Sequence, residues 1–426
     1  MRVFWFLLIG SLTLAAENWP QWRGPSANGI SAEKNLPIEW SPAKNIAWKT
    51  AIPGRGRSSP VVWGDRVFLT TDIEGAKAEG HTVPKHVLDG TPFRHPDSMG
   101  ADRVHTLALL CLDRKTGKVL WRRTAYEGTV FDERHKAGSY AAPTPVTDGH
   151  AVYAYFGSEG LYAYDFQGKL LWKYNPGQLM TIGMGPGTSP VLAGDFVILQ
   201  CDSSDEKSKL VALHRKNGEL AWKADRKINV TWSTPLLVTA NGRSELITTA
   251  NDVVISYDPA TGKERWRGPG VKGNAIPSPI SGDGIVVVSA GYPDKYAWAF
   301  RAGGNGKPIW EYTKGTAYVP SPIFYGEYVY LVTDKGLMTC LAAETGAVKY
   351  EGKRPGAGAQ FAGSPVAYDG KILLTSEDGE THVIQAGPEF AVLRTNSVGE
   401  PVLASPAIAH GMIFIRGKDH LFAISQ

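Results

Sequence analysis

The chain has 426 residues, only 20 % of them charged, with a net charge of +4, which excludes a strongly basic nucleic-acid binder and an acidic solvating chain. Glycine (48) and proline (28) exceed average usage, while 10 % aromatics with 13 tryptophans exclude disorder and supply a large core. Three cysteines, Cys111, Cys201 and Cys340, exclude a disulfide scaffold and are expected as buried free thiols.

The first sixteen residues read as an address. Arg2 precedes an apolar run over 3–14, and Ala15-Ala16 leads into the polar Glu17-Asn18. A basic start, a short apolar stretch and small residues at its end predict a secretory signal over 1–16 and an exported, periplasmic or secreted protein. The run is shorter than the roughly 20 residues a membrane helix needs, and no other segment approaches that length. No cysteine lies near the cleavage zone, so no lipoprotein anchor is expected. A monomer is expected.

From residue 59 onward the chain repeats. A Ser/Thr-Pro pair followed by an alternating apolar strand occurs at Ser59, Thr144, Ser189, Thr234, Ser278, Ser321, Ser364 and Ser405. After the second pair the intervals are 45, 45, 44, 43, 43 and 41 residues, and only the first, at 85, is long. The sixth unit shows the internal plan: Ser-Pro-Ile-Phe-Tyr, a Gly-Glu turn, Tyr-Val-Tyr-Leu-Val-Thr, an Asp-Lys-Gly turn, Leu-Met-Thr-Cys-Leu, a Thr345-Gly346 turn and a last strand ending near Tyr350. Four short period-2 strands joined by glycine-bearing turns, with no stretch at helical spacing, describe a propeller blade. The predicted fold is all-β, an eight-bladed β-propeller of four-stranded antiparallel blades forming one domain over 17–426. The last unit has three strands, and residues 45–49 supply the fourth, so the N-terminal strand closes the ring and removes the free sheet edges.

A second signature marks the turn between strands three and four. Asp113-Arg114-Lys115-Thr116-Gly117 is followed by Trp121, and Asp258-Pro259-Ala260-Thr261-Gly262 by Trp266. Gly168 with Trp172, Gly218 with Trp222 and Gly306 with Trp310 keep the glycine and the indole. Glycine permits the positive φ of a tight hairpin, and the indole at fixed offset fills the seam between blades. This repeated Asp-x-x-Thr-Gly-x-x-x-Trp pattern resembles the tryptophan-docking motif of the pyrroloquinoline-quinone (PQQ) repeat family. That family includes quinoprotein alcohol dehydrogenases and the propeller lipoprotein of the outer-membrane barrel assembly machinery. The start, Asn18-Trp19-Pro20-Gln21-Trp22-Arg23-Gly24-Pro25, is similar to that of secreted PQQ-like propellers.

Blade one departs from the repeat. Its two long loops, at about 72–106 and 124–140, open on the same face of the disc and are therefore candidates for function. They carry His81, His86, His95, His105 and His135 with Asp89, Asp97, Asp102, Asp132 and Glu133, a set suited either to a divalent metal or to turn capping. Residues entering the innermost strands, Arg57, Tyr140, Met184, Trp232, Asn274, Tyr318 and Phe361, are expected to ring the channel on that face, where flat rings stack on a ligand or plug the opening. Turns between strands two and three add Glu159, Asp202 and Asp334 there. Gly268-Pro269-Gly270-Val271-Lys272-Gly273 matches a dinucleotide-binding pattern but precedes a strand, so no helix N-terminus is present to hold phosphate.

These readings leave three functions. The first is an exported binding or scaffolding module that takes a small-molecule or protein ligand on the decorated face. The family resemblance implies the second, a PQQ- and Ca²⁺-dependent oxidoreductase of alcohols or sugars, in which Ca²⁺ polarises a quinone carbonyl and a carboxylate takes the alcohol proton. The dehydrogenases resembled carry an adjacent-cysteine disulfide, and this sequence has no Cys-Cys pair. The third, a hydrolase or lyase acting on polysaccharide, rests on His135 and Tyr140 lying close together.

Overall fold

The computed structural model describes residues 17–88 and 90–426; the expected signal over 1–16, and Asp89, lie outside them. Eight four-stranded antiparallel units follow one another in chain order around a ring. Blade one comprises Val61–Trp63, Arg66–Lys77, Arg103–Asp113 and Val119–Thr129. Blades two to six run regularly from Val146–Thr147 to Val348–Lys353. In blade eight, Ile46–Ala51 pairs antiparallel with His420–Ile424 as the outermost strand, so the ring closes as the sequence predicts. The second and third strands of each blade are buried on both faces, and successive blades stack through that apolar surface.

The tryptophans weld the seams. Trp48, Trp121, Trp172, Trp222, Trp266 and Trp310 each lie against the turn glycine of the next blade: Gly117, Gly168, Gly218, Gly262, Gly306 and Gly346. Trp172 Nε1 donates to the Arg215 carbonyl at 2.9 Å, and Trp48 makes the equivalent bond to Arg114 at 2.8 Å. Gly218 has φ +75°, and a Cβ there would stand 2.5 Å from the Trp172 ring, so both backbone angle and space require glycine. Across the ladder each indole faces a small residue: Ala423, Cys111, Ala163, Ala212, Ser256 or Ala299. The pairing bulges one step further on, which turns the indole out of its own sheet. Cys111 therefore occupies a slot that needs a small side chain. All three cysteines are free and buried, with burial pushing each thiol up to about 12.

The Ser/Thr-Pro pairs do more than start strands. The Ser59 backbone N–H donates to Thr144 Oγ1 at 3.0 Å, and Thr144 N–H to Ser189 Oγ at 2.9 Å. The chain of bonds runs on through Thr234, Ser278, Ser321 and Ser364 to Ser405, all at 2.8–3.0 Å. It does not pass from blade eight to blade one, where Ser59 Oγ is buried without a partner among the described residues. Ser278→Ala orphans the buried Thr234 N–H and is expected to cost about 1–3 kcal/mol, whereas Ser59→Ala removes an unbonded hydroxyl and is expected to be near neutral. Denaturant unfolding of the two variants compares them directly.

One feature has no counterpart in the repeat. Residues 19–31 cross the channel on the face of the strand-one-to-two turns, opposite the loops of blade one. Trp19 bridges Val62 of blade one, the Pro20 carbonyl accepts from Thr147 of blade two, and Asn28 Oδ1 from Ser281 of blade five. Arg23 Nη2 donates to the Pro322 carbonyl of blade six, and Ile30–Ser31 adds a parallel strand inside Val366–Tyr368 of blade seven. Trp19 and Arg23 are fully buried, and burial away from any carboxylate lowers the Arg23 guanidinium to about 9. This segment ties distant blades together and closes one mouth of the channel. Among the described residues no helix is long and apolar enough to cross a membrane.

Candidate functional site on the insertion face

Blade one's second and third strands continue to Lys77 and resume at Arg103, so the first insertion is 78–102, shorter than the expected 72–106. The fourth strand likewise runs to Thr129, and the second insertion begins at Val130. The extra strand length is held by the ladder Asp72↔Leu107, Ile73↔Thr106 and Glu74↔His105 rather than by an apolar pattern. The two insertions are laced together: Ser98–Met99 pairs antiparallel with Arg134–His135, and His86–Leu88 forms a small hairpin with Thr91–Phe93.

Asp132 is the hub of this surface. Its Oδ1 takes His86 Nε2 at 2.9 Å, and its Oδ2 accepts the Thr181 N–H and hydroxyl, each at 2.7 Å, so one carboxylate joins both insertions to the loop leaving blade two. Behind it, the fully buried His105 has Nδ1 2.7 Å from Asp72 Oδ1 and Nε2 2.8 Å from the Gly100 carbonyl. Two acceptors favour the doubly protonated ring; burial is the largest influence and opposes the charge, and the bond and charge of Asp72, the Gly100 carbonyl and the Glu74 charge together outweigh it, raising the His105 pKa. That stability is present at low pH and is lost as pH rises through the raised value.

The histidines therefore separate. His86 and His105 are spent on Asp132 and Asp72, and His81 lies apart in the groove described below. His95, Asp97 and His135 come together, with ligand atoms within 4.8 Å. His95 Nδ1 accepts the Asp97 N–H at 3.1 Å, His135 Nδ1 accepts the Ala137 N–H at 3.2 Å, and Lys136 Nζ holds Asp97 at 3.0 Å. These bonds put the protons on Nε2, so a cation taking Nε2 of either ring would have to reverse its tautomer, and it would share Asp97 with Lys136. As it stands the trio caps turns.

Of the expected channel residues, Asn274 and Tyr318 meet, Asn274 Nδ2 donating to the phenol at 3.2 Å. Arg57 is half-buried near Glu377, and Met184 is half-buried with its carbonyl accepting from His135. Trp232 is half-buried, its Nε1 donating to the Gly185 carbonyl at 3.0 Å. Tyr140 and Phe361 are buried in seams: Tyr140 lies edge-on to His105 with its hydroxyl on the Asp132 carbonyl, and Phe361 packs over Gly336 beside His382. The cavity beside Trp232 measures about 30 Å³, room for one water. A tricyclic quinone needs a slot at least tenfold larger, with ring faces turned toward it. With Tyr140 and Phe361 buried, a water-sized cavity beside Trp232, and Tyr318 engaged by Asn274 and edge-on by Tyr292, these residues do not fit the quinone.

A far larger space lies outward of that cavity. An open groove of about 680 Å³ runs between 80–84 of the first insertion, 126–131 at the root of the second, and the turns of blade two. Ser158 and Glu159 form the wall common to cavity and groove. They belong to the 3-10 turn Gly157–Glu159, and Glu159 Oε1 accepts the Phe131 N–H at 2.9 Å. Burial raises the Glu159 carboxyl to about 7, which the Phe131 bond only partly opposes. The folded state thus keeps this proton to higher pH than the unfolded chain, so stability falls as pH rises from about 4.5 to 7. Glu159→Gln is expected to abolish roughly 1–3 kcal/mol of that slope, read as the difference between the two proteins' unfolding free energies from pH 5 to 8.

No curated protein matches the chain in sequence. Among solved structures, BamB from Moraxella catarrhalis superposes with a TM-score of 0.59 at 12 % identity, covering 89 % of this chain and 98 % of that one. Quinohemoprotein alcohol dehydrogenase from Comamonas testosteroni gives 0.66 at 11 % identity, covering 95 % and 80 %. Quinohemoprotein alcohol dehydrogenase ADHIIG from Pseudomonas putida gives 0.60 at 9 %, covering 96 % and 80 %. At these identities the likeness is one of fold. In sequence, the family described as outer membrane protein assembly factor BamB (PQQ_2) matches residues 102–243 and 250–387, more than half of the chain, and the protein belongs to that family.

Proposed function

We propose that this protein is an exported binding or scaffolding propeller whose recognition surface is the insertion-bearing face over blades one and two. The observation that carries this reading is the lacing of two insertions from one blade into a single surface by the Ser98–Met99 ladder and the Asp132 hub. The later repeat intervals are 41–45 residues and the first is 85, so the surplus chain is concentrated in blade one, where a ligand would meet it. The opposite mouth is occupied by 19–31, which leaves the insertion face as the accessible side of the channel. Export is supported by the signal-like sequence over 1–16 and by the family's outer-membrane description.

Lysines on the two faces provide the test. Lys85 and Lys136 are exposed on the insertion face, and Lys115 and Lys263 on the opposite turns. Amine crosslinking in the native host followed by mass spectrometry is expected to join the first pair, and not the second, to another macromolecule. Equal yields from both faces would overturn the assignment.

A further inference from the structure

We propose that the groove between 80–84 and Glu159 is a binding site for an uncharged, hydroxyl-rich ligand, a short neutral oligosaccharide. The inference rests on the insertion face being the recognition surface and names the ligand class for one part of it. Size comes first: about 680 Å³, open along one side, accommodates several sugar rings, whereas the neighbouring cavity holds one water. The walls supply both halves of sugar recognition. Tyr126, Phe131 and Pro84 give flat or apolar surface for the C–H faces of a ring, and Ser158 and Gln178 give neutral hydrogen-bonding groups.

Charge then narrows the class. Among the described residues the lining contains no lysine or arginine, so a phosphate, sulfate or uronate finds no counter-charge there; Lys209 only approaches Gly177 at one end. The single carboxyl is Glu159, whose Oε1 is held by Phe131 and whose Oε2 has no partner among the described residues. His81 Nε2 is buried and likewise unpartnered among them. A carboxyl that carries its proton near neutrality donates as well as accepts and attracts a cation weakly. A ligand hydroxyl matches the unpaired Glu159 Oε2, since each hydroxyl is donor and acceptor at once.

The test titrates the purified protein with cellohexaose, maltohexaose and xylohexaose, and with oligogalacturonate and a chitosan oligomer as charged counterparts, by calorimetry at pH 6 and pH 8. Saturable binding of at least one neutral oligomer is expected at both pH values, weaker at pH 8, where Glu159 has lost the proton it donates. Phe131→Ala is expected to weaken it at least tenfold and the exposed Gln178→Ala several-fold, the second variant guarding against a folding defect in the first. The proposal is overturned if only a charged oligomer binds, if no oligomer binds, or if both variants bind as the parent does. Retained crosslinks from Lys85 and Lys136 alongside a failed titration would reject the saccharide and leave the binding face standing.

Discussion

Asp202→Ala is expected to destabilise the propeller by about 3–5 kcal/mol. Asp202 and Arg226 form a fully buried pair, Arg226 Nη1 lying 3.1 and 3.2 Å from the two carboxylate oxygens. Arg226 Nη2 reaches Thr248 Oγ1 at 3.0 Å, and the Thr231 hydroxyl donates to Asp202 at 2.5 Å, so the pair clamps blade three to blade four beside Trp232. Burial raises the Asp202 pKa despite Arg226 and Thr231, which shows how much desolvation the pair must offset. Removing the carboxylate leaves a fully buried guanidinium with no counter-charge. The double variant Asp202→Leu with Arg226→Met removes both charges and is expected to recover most of the loss. Urea unfolding of the single and double variants decides it: a single variant within about 1 kcal/mol of the parent would mean that water reaches the seam.

Trp172→Ala carries the second large effect, about 3–5 kcal/mol, against less than about 0.5 kcal/mol for Leu171→Ala beside it. Leu171 is 46 % exposed on the outer strand, whereas Trp172 is buried between blades two and three. The substitution empties the space over Gly218, frees the Arg215 carbonyl and removes the contact with Tyr153, whose ring centre is 5.7 Å away. Similar losses for the two neighbours would mean that the indoles decorate the seams without holding them.

The architecture was legible because its signals are local and repeated. Four strands per unit, the glycine turns and the tryptophan offset all lie within about forty residues, and the three-strand last unit pointed to 45–49 as its completion. What the repeated elements do was less legible. The Ser/Thr of each Ser-Pro pair bonds a residue 41–45 positions away, or 85 across the insertion, a relation visible only when blades stand side by side. The channel-crossing segment 19–31 has no periodicity, and its Arg23 bonds a carbonyl 299 residues distant.

At the site, the sequence placed the insertions on one face but not the chemistry within them. Five histidines looked equivalent; which were spent on Asp72 and Asp132, and which faced Asp97, depended on the ladder between two loops separated by a whole hairpin. Tyr140 and Phe361 hold the positions expected of channel residues, yet the space beside His105 and over Gly336 draws their rings into the seams. Glu159 read as an ordinary turn carboxylate, and its proton affinity arises from burial beneath a segment that begins 28 residues upstream.

The most direct test of the insertion face as the recognition surface replaces 79–101 with an Asn-Gly turn that continues the Arg66–Lys77 and Arg103–Asp113 hairpin. The blades meet that segment only through Val83, Ala101 and the Gly100 carbonyl on His105, so the variant should lose some stability there, keep its eight-bladed fold and unfold as a cooperative unit. Crosslinking from Lys136 to other macromolecules in the host should disappear. Crosslinks that persist at the parent's level after the insertion is gone would contradict the account.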